Sequence, residues 1–413
     1  MRSLFWISAL SIAYVYVGYP ALLAVWARVR PARRRDGAAG AGSLPRLSIV
    51  IAARNEAARL PSRIDNLLAL DYPTDRRDII IVSDGSTDAT LDVLARYTGV
   101  VQTVAAPPRG KAAALNVAVE RATGDILVFA DARQMFAPDA LRALAAPFAD
   151  EQIGGVTGEL LLDCEASEVA GRRSGSERRR TVADRRMRAA RGGDRRTATD
   201  RRGRIASTIG DGVGLYWRYE KQLRRLESAV GSTLGATGAI YALRRSLYQP
   251  LPDGTILDDV LTPMRAVLSG HRVVFAEDAV AFDCAAVDAD AEQRRKVRTL
   301  AGNVQILGLE PRLLVPFVNP VWLQYVSHKL GRLIVPYCLL TLFASSVALS
   351  ADHVIYAAAL AAQCALYLLG GYGAWLDFHN RPAPAAQSAG SPHVRGTATR
   401  WTRGGADKRI ANA

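Results

Sequence analysis

Short apolar runs rich in β-branched residues alternate with helix-like segments in the first third of the chain. Runs of this kind predict strands buried on both faces, as in a parallel sheet. They lie at residues 47–53, 78–82 and 125–130, and further strands are predicted at 154–162 and 273–275. The alternation with helical segments predicts an α/β fold, with a mostly parallel sheet and helices on both faces.

The segments between these runs have the spacing of amphipathic helices. We predict helices at residues 54–70 (headed by Arg54-Asn55-Glu56), 89–97, from Gly110 onward, 214–230, from Asp258 onward, and 291–309. A polar turn at the carboxyl end of each strand places Asp84 and Asp131 where open α/β sheets bind their ligands.

Three apolar stretches are long enough to cross a bilayer. Residues 1–29 form an anchor that is too long for a cleaved signal peptide, the alternative we weigh against it. Residues 331–376 predict two further spans, and 311–330 predict a helix lying in the membrane interface. The arginines after the first span place the globular domain in the cytoplasm of a multi-pass cell-membrane protein.

Between these spans the sequence divides into a basic linker (30–46), a catalytic domain (47–310) and, after the spans, a disordered tail (377–413). The formal net charge is +14, and 14 arginines against 4 acidic residues fall within residues 171–204. This Arg-rich stretch has no aromatic residue, so we expect a disordered insertion facing water or lipid, and no nucleic-acid partner. The 4 cysteines are scattered, which argues against a disulfide framework or a zinc site.

Six short motifs occur in order between residues 47 and 309. They are Ser83–Asp88, Gly110-Lys111 with Leu115-Asn116, Asp131-Ala132-Arg133, Gly235 with Gly238-Ala239, Asp258-Asp259, and Gln293-Arg294-Arg295-Lys296-Val297. In this order, and between membrane spans, they resemble the membrane-bound family-2 glycosyltransferases, which include bacterial exopolysaccharide, cellulose and hyaluronan synthases. The resemblance implies a Rossmann-like GT-A nucleotide-sugar domain together with transmembrane helices.

The resemblance also implies a donor site. Its members would be Ala53, Asn55, Glu56, Asp84, Lys111, Asp131 and Arg133. Asp131 matches the first aspartate of the family's DxD motif, which holds a divalent cation, Mg²⁺ or Mn²⁺, against the diphosphate. Arg133 replaces the second aspartate, and it either contacts the diphosphate itself or points into solvent. Asp84 either contacts the nucleoside or caps the next helix. Lys111 either contacts the phosphate or the sugar of the donor or is a solvated lysine.

The remaining two motifs imply the catalytic base and the residues that contact the leaving group and the acceptor. Asp259 matches the catalytic base of the family's TED motif, with Asp258 as the alternative base or a helix cap. The family's QxxRW motif is matched by Gln293, Arg294, Arg295 and Lys296. In the family, the arginine of this motif neutralises the departing diphosphate and the tryptophan stacks under the acceptor sugar. Lys296 loses the bidentate fork of arginine and Val297 loses the aromatic platform, so an ordinary basic helix on the membrane surface is the alternative.

The sequence therefore predicts an inverting glycosyltransferase. It would move a sugar from a nucleotide-sugar, expected to be UDP-linked, to a glycan or lipid-linked acceptor in exopolysaccharide or cell-envelope glycan synthesis. The alternatives are a single-sugar transferase acting on a polyprenyl-phosphate carrier and a non-catalytic glycan-binding membrane subunit. Expected partners besides donor and acceptor are membrane lipids and either a second copy of the chain or a partner membrane subunit.

Overall fold

The computed structural model describes residues 1–29, 44–162, 201–283 and 289–379. Most of the predicted basic linker, nearly all of the Arg-rich insertion and the predicted tail from residue 380 lie outside the described residues. The described chain forms two compact units, one that ends at Ser345 and one that begins at Ser346. The first unit contains the sheet and the candidate site.

Eight strands form one mixed sheet in the order β3-β2-β1-β4-β7-β6-β8-β5. Their bounds are β1 Leu47–Ala53, β2 Arg77–Asp84, β3 Gln102–Ala106, β4 Ile126–Ala130, β5 Met135–Phe136, β6 Ile153–Leu162, β7 Ile240–Arg244 and β8 Arg272–Asp283. Strands β3, β2, β1 and β4 are parallel, as are β6 and β8, whereas β7 runs antiparallel to both of its neighbours. The prediction of a mostly parallel sheet is confirmed.

Helices cover both faces of the sheet. Their bounds are α1 Arg2–Ala13, α2 Tyr19–Val29, α3 Leu60–Leu68, α4 Thr90–Ala95, α5 Lys111–Arg121, α6 Ala140–Ala145, α7 Arg201–Val230, α8 Asp258–Leu268, α9 Ala289–Leu309, α10 Trp322–Gln324, α11 Gly331–Leu349 and α12 Val354–His379. Side chains of β1 alternate between two apolar cores, because successive residues of a strand point to opposite faces. Ile49 packs with Ile64 of α3 in one core, and Val50 packs with Leu115 of α5 and Leu261 of α8 in the other.

Within the described ranges, three helical segments have the length and composition of membrane spans: Arg2–Val29, Trp322–Leu349 and Val354–Leu376. They indicate membrane association. The predicted interfacial helix at residues 311–330 differs in form, since Pro311–Leu314 is a single 3₁₀ turn and the chain becomes continuously helical from Trp322 to Leu349. Pro316 and Pro320 precede the helical segment and Pro336 lies inside it, so proline does not separate a short interfacial helix from the span.

Helix α3 starts at Leu60 and not at Arg54. Asn55 has a φ of +55°, which is outside the helical region, and the residues before Leu60 form a loop. This loop follows β1 directly and lies at the edge of the sheet where the candidate site is found.

Candidate active site

The predicted donor-site residues follow neighbouring parallel strands. Ala53 is the last residue of β1 and pairs with Ser83, next to Asp84 at the end of β2, while Asp131 directly follows β4. The carboxyl ends of parallel strands meet at one edge of a sheet. The structure therefore brings Ala53, Asp84 and Asp131 to the same edge, as the sequence predicts.

Asn55 and Glu56 tie the loop after β1 to the loop after β2. The Asn55 side-chain oxygen accepts a hydrogen bond of 2.8 Å from the Thr87 amide, and the Asn55 amide donates to Ser86 Oγ at 3.1 Å. The Glu56 amide donates to the Thr90 hydroxyl at 3.0 Å. These three hydrogen bonds hold the two loops together at the carboxyl edge of the sheet. The Glu56 carboxylate itself forms an ion pair with Arg59 at 2.9 Å.

Asp84 has a structural role in the described chain. Its carboxylate is almost fully buried and accepts hydrogen bonds from the backbone amides of Arg109 at 2.8 Å and Gly110 at 3.0 Å. A carboxylate that accepts hydrogen bonds from backbone amides stabilises the loop to which those amides belong. Gly110 has a φ of +94° and precedes α5, so Asp84 holds the turn that presents Lys111.

Lys111 connects two of the predicted motifs. Its ammonium lies 3.1 Å from Asp131 Oδ1 and 3.2 Å from Asp258 Oδ1. Burial disfavours its charge, but attraction to Asp258, Asp131 and Asp259 outweighs burial and raises the pKa of Lys111 above its ordinary value. Lys111 is therefore a fixed positive charge among three carboxylates and not a solvated lysine.

The two adjacent aspartates of α8 have different surroundings. Asp258 is 3% exposed and is held by Lys111 and by the hydroxyl of Tyr241, which donates to its Oδ2 at 3.3 Å. Asp259 lines a cavity instead. Burial and the charge of Asp258 raise the pKa of Asp259 to about 6, although Lys111 and Lys329 lower it. A carboxylate with a pKa close to neutral is suited to accept and release a proton.

The glycine motif before β7 shapes the space around Asp259. A Cβ atom on Gly238 would lie 2.9 Å from Asp259 Oδ2. Gly235 has a φ of +146°, and the next residue, Ala236, donates its amide to the Asp259 carbonyl at 2.7 Å. Gly238 leaves room for the Asp259 carboxylate, and Gly235 allows the positive φ of the turn beside it. The sequence motif by itself does not reveal this contact with Asp259.

Asp131 is the candidate metal ligand. Its carboxylate is 38% exposed, and among the described residues no group of three or more His, Cys, Asp or Glu side chains could hold a metal. A hard cation that is carried by a diphosphate needs only one or two protein carboxylates, so a single exposed aspartate fits such a cation. Arg133, in the second DxD position, forms an ion pair of 2.7 Å with the buried Asp283 at the end of β8.

Asp283 is a site residue that sequence reasoning missed. It is 4% exposed and accepts a second hydrogen bond, from Gln134 Nε2, at 2.9 Å. Both partners follow Asp131 along the chain, so Asp283 holds the segment after the metal candidate. The two ends of the ion pair are 150 residues apart, and no local pattern connects them.

Gln293, Arg294, Arg295 and Lys296 lie on the first turns of α9 with exposed side chains. The same helix contributes Thr299, Leu300 and Asn303 to the cavity that contains Asp259. The predicted leaving-group residues therefore precede the cavity wall by one or two turns, and their role remains a prediction.

The cavity has a volume of about 390 Å³. Its walls come from α7, from the Gly235–Ala236 turn with the start of α8, from α9, and from the membrane-length segment that starts at Trp322. Asp259 thus lines a cavity that a candidate membrane span also lines.

The mixed sheet, with helices on both faces and acidic residues at its carboxyl edge, has the arrangement expected of a GT-A nucleotide-sugar fold. The solved structure of the mannosyltransferase PcManGT from Pyrobaculum calidifontis, in complex with GDP-Man and Mn²⁺, has this fold. It matches with a TM-score of 0.63 and 23% identity over 90% of this chain and 94% of that one.

Residues 48–206 match the profile of Glycosyl transferase family 2. The chain therefore carries a family-2 glycosyltransferase domain. A β-monoglucosyldiacylglycerol synthase from Nostoc sp. is 34% identical over 146 residues, which is 34% of this chain and 30% of that protein. A poly-β-1,6-N-acetyl-D-glucosamine synthase from Staphylococcus aureus is 30% identical over 116 residues, or 27% and 28% of the two chains. The matched segments span less than a third of either relative.

Proposed function

We propose that the chain is an inverting glycosyltransferase that takes a sugar from a nucleoside-diphosphate sugar at the carboxyl edge of the sheet. The observation that carries the proposal is the pair Asp258 and Asp259. Asp258 is locked by Lys111 and Tyr241, while Asp259 faces the cavity with a pKa near 6. One carboxylate is thus fixed as structure and the other is available for proton transfer.

In this reaction an acceptor hydroxyl oxygen attacks the anomeric carbon of the donor, and its proton passes to the Asp259 carboxylate. The new C–O bond forms as the bond between the anomeric carbon and the diphosphate breaks, and the nucleoside diphosphate leaves with the electron pair. Attack opposite the leaving group inverts the configuration.

Asp131 would hold a divalent cation, Mg²⁺ or Mn²⁺, which neutralises charge on the diphosphate when bound. Lys111 supports the same edge with a fixed positive charge, and Arg133 offers a guanidinium within the same segment. The Mn²⁺ in the Pyrobaculum structure is consistent with this assignment. A UDP-sugar is the expected donor, and the GDP-Man of that structure makes GDP-sugars the second class to test.

The acceptor is proposed to be a glycan or a lipid-linked molecule, in exopolysaccharide or cell-envelope glycan synthesis, with the domain on the cytoplasmic side of the membrane. The names of the Nostoc and Staphylococcus relatives cover both acceptor types. The cavity leading from Asp259 to the Trp322–Leu349 segment supports an acceptor that reaches the base from the membrane side.

The test is release of nucleoside diphosphate from a panel of UDP- and GDP-sugars by the detergent-purified chain, with and without Mn²⁺, in the presence of membrane lipid and glycan extracts. We expect release from one donor, and a fall of about 10²–10⁴-fold for Asp259→Asn, the range of a lost general base. Asp92→Asn, on the exposed face of α4, is the matched control and should leave the rate unchanged. Equal release by wild type and Asp259→Asn would exclude Asp259 as the base, and tight nucleotide binding without transfer would favour a binding subunit.

A further inference from the structure

Two arginines are buried at opposite ends of helix α3, and their surroundings differ. Arg77, the first residue of β2, donates to the main-chain carbonyl oxygens of Leu67, Leu68 and Leu70 at 2.9, 2.8 and 3.2 Å. The last carbonyl groups of a helix have no partner within the helix, so Arg77 stabilises the carboxyl end of α3. Arg63 lies in the first turn of the same helix and has no comparable set of acceptors among the described residues.

Arg63 is completely buried, yet part of its guanidinium has no hydrogen-bond partner. Its Nη1 donates to Asn66 Oδ1 at 2.9 Å, and its Cζ lies 4.2 Å from the centre of the Phe136 ring. Within the described ranges, its Nε and Nη2 are buried and make no hydrogen bond. Buried donors without partners cost free energy, whereas an apolar side chain such as methionine could pack on the same ring without that cost. Stability of the core therefore does not account for an arginine at this position.

Arg63 and Asn66 hold the segment that follows Asp131. Asn66 Oδ1 accepts a hydrogen bond of 2.9 Å from the Phe136 amide, and Asn66 Nδ2 donates to the Phe136 carbonyl at 3.0 Å. Phe136 ends the short strand β5, and Asp283 holds the residues between Asp131 and this strand. The segment that carries the candidate metal ligand is thus fixed from α3 as well as from β8.

Asp131 is the carboxylate whose charge acts on Arg63. Burial lowers the pKa of Arg63 to about 9, and attraction by Asp131 opposes this shift, so the guanidinium is charged at neutral pH. Charges in a poorly solvated interior are screened weakly, and the attraction acts equally on both partners. The Arg63 charge therefore stabilises the Asp131 carboxylate in its described position.

We propose that Arg63 is a positioning residue for the donor site. Its buried charge and its contact with Asn66 hold Asp131, and the segment after it, in place for the diphosphate of the nucleotide-sugar. This inference rests on the proposed function, in which Asp131 holds the divalent cation. A nucleoside diphosphate with one divalent cation has a net negative charge, so a buried positive charge near Asp131 also favours its binding.

The experiment measures the binding of UDP and of GDP, each with MnCl₂, to the full chain in detergent micelles. The Kd follows from the nucleotide concentration at which Tm rises, and the Tm without nucleotide reports stability. Arg63→Met should leave the Tm without nucleotide unchanged or higher, because methionine removes the unpaired donors. The same variant should weaken nucleotide binding by about tenfold, the lower end of the range for residues that orient a metal ligand.

Arg77→Met is the matched control, a buried arginine at the other end of α3. This variant leaves the three carbonyl groups without their donor and should lower Tm by a few degrees. It should not change the nucleotide Kd, because Arg77 lies at the start of β2 and not at the carboxyl edge of the sheet. Arg63→Lys keeps the charge and should retain most of the nucleotide affinity. If Arg63→Met does not fold, the neutral and polar Arg63→Gln takes its place in the comparison.

Equal nucleotide affinity in Arg63→Met and the wild type would overturn the inference, because it excludes a role in donor binding. An equal loss in Arg63→Met and Arg63→Lys would also overturn it, because it excludes a role for the charge. A wild-type chain that binds neither nucleotide would contradict the proposed function itself. The two failures are therefore distinguishable.

Discussion

Gly238→Ala moves the proposed base without removing it. The added Cβ would lie 2.9 Å from Asp259 Oδ2 and 3.5 Å from its Cγ, whereas ordinary contact starts at 3.4 Å. The carboxylate must therefore retreat by about 0.5 Å, the difference between these distances. Gly238 is not among the described glycines with positive φ, so alanine fits the backbone there and the effect is confined to the contact.

A displacement of this size has a calculable effect on the rate. A misplacement of about 1 Å in a catalytic group costs about 10²-fold, so half of that distance should lower kcat by about tenfold. Affinity for the donor should stay unchanged, because Gly238 contacts the base and not the strand ends where the donor is proposed to bind.

The assay is nucleoside diphosphate release with saturating donor and acceptor, together with nucleotide binding by Tm shift. Gly308→Ala on α9 is the control, since a Cβ there meets nothing within 4 Å and alanine favours a helix. An unchanged kcat in Gly238→Ala, with both variants folded, would show that proton transfer does not depend on Asp259 in the position described here.

Three further predictions concern charges in the site. The value of kcat/KM should rise with pH through a midpoint near 6, because Asp259 must be ionised to accept a proton. Lys329→Met removes a positive charge that lowers the pKa of Asp259, so it should move this midpoint to higher pH. Lys111→Met should lower the free energy of unfolding, measured by denaturant titration, by about 1–3 kcal/mol, since it leaves the buried Asp258 carboxylate without its cation. Lys111→Arg keeps the positive charge and should retain most of this stability. Asp283→Asn should release Arg133 and raise the donor KM by about fivefold with little change in kcat; an unchanged KM would show that Arg133 does not contact the donor.

The parallel half of the sheet is predictable from the sequence because its strands are buried on both faces. Strand β1 has the predicted bounds, and β4 differs by one residue. The sequence does not predict strand β3, because this edge strand consists mostly of exposed residues and Val104 is its one large apolar side chain. The sequence also does not predict strand β7, because this short strand, Ile240–Arg244, directly follows the glycine motif and has no separate apolar run before it.

The candidate site follows a similar division. The sequence predicts which carboxylates reach the sheet edge, because strand ends can be located from the pattern. It does not show that Lys111 joins Asp131 to Asp258 or that Asp84 holds the Arg109–Gly110 amides, since these pairs depend on how distant segments pack. The different surroundings of Asp258 and Asp259 arise in the same way, from one side chain meeting Tyr241 and the other meeting Gly238.

The first candidate membrane span packs directly against the domain that contains the candidate site. Tyr19 of α2 and Leu23 pack against Leu223 of α7, and the Tyr19 hydroxyl bonds to Glu227, which also contacts His328 at the start of the second membrane-length segment. Glu227 and His328 both line the cavity of Asp259. Since one buried carboxylate joins the two segments through α7, displacement of either segment would disturb the cavity wall. The positions of these two candidate spans therefore determine the geometry of the cavity beside Asp259.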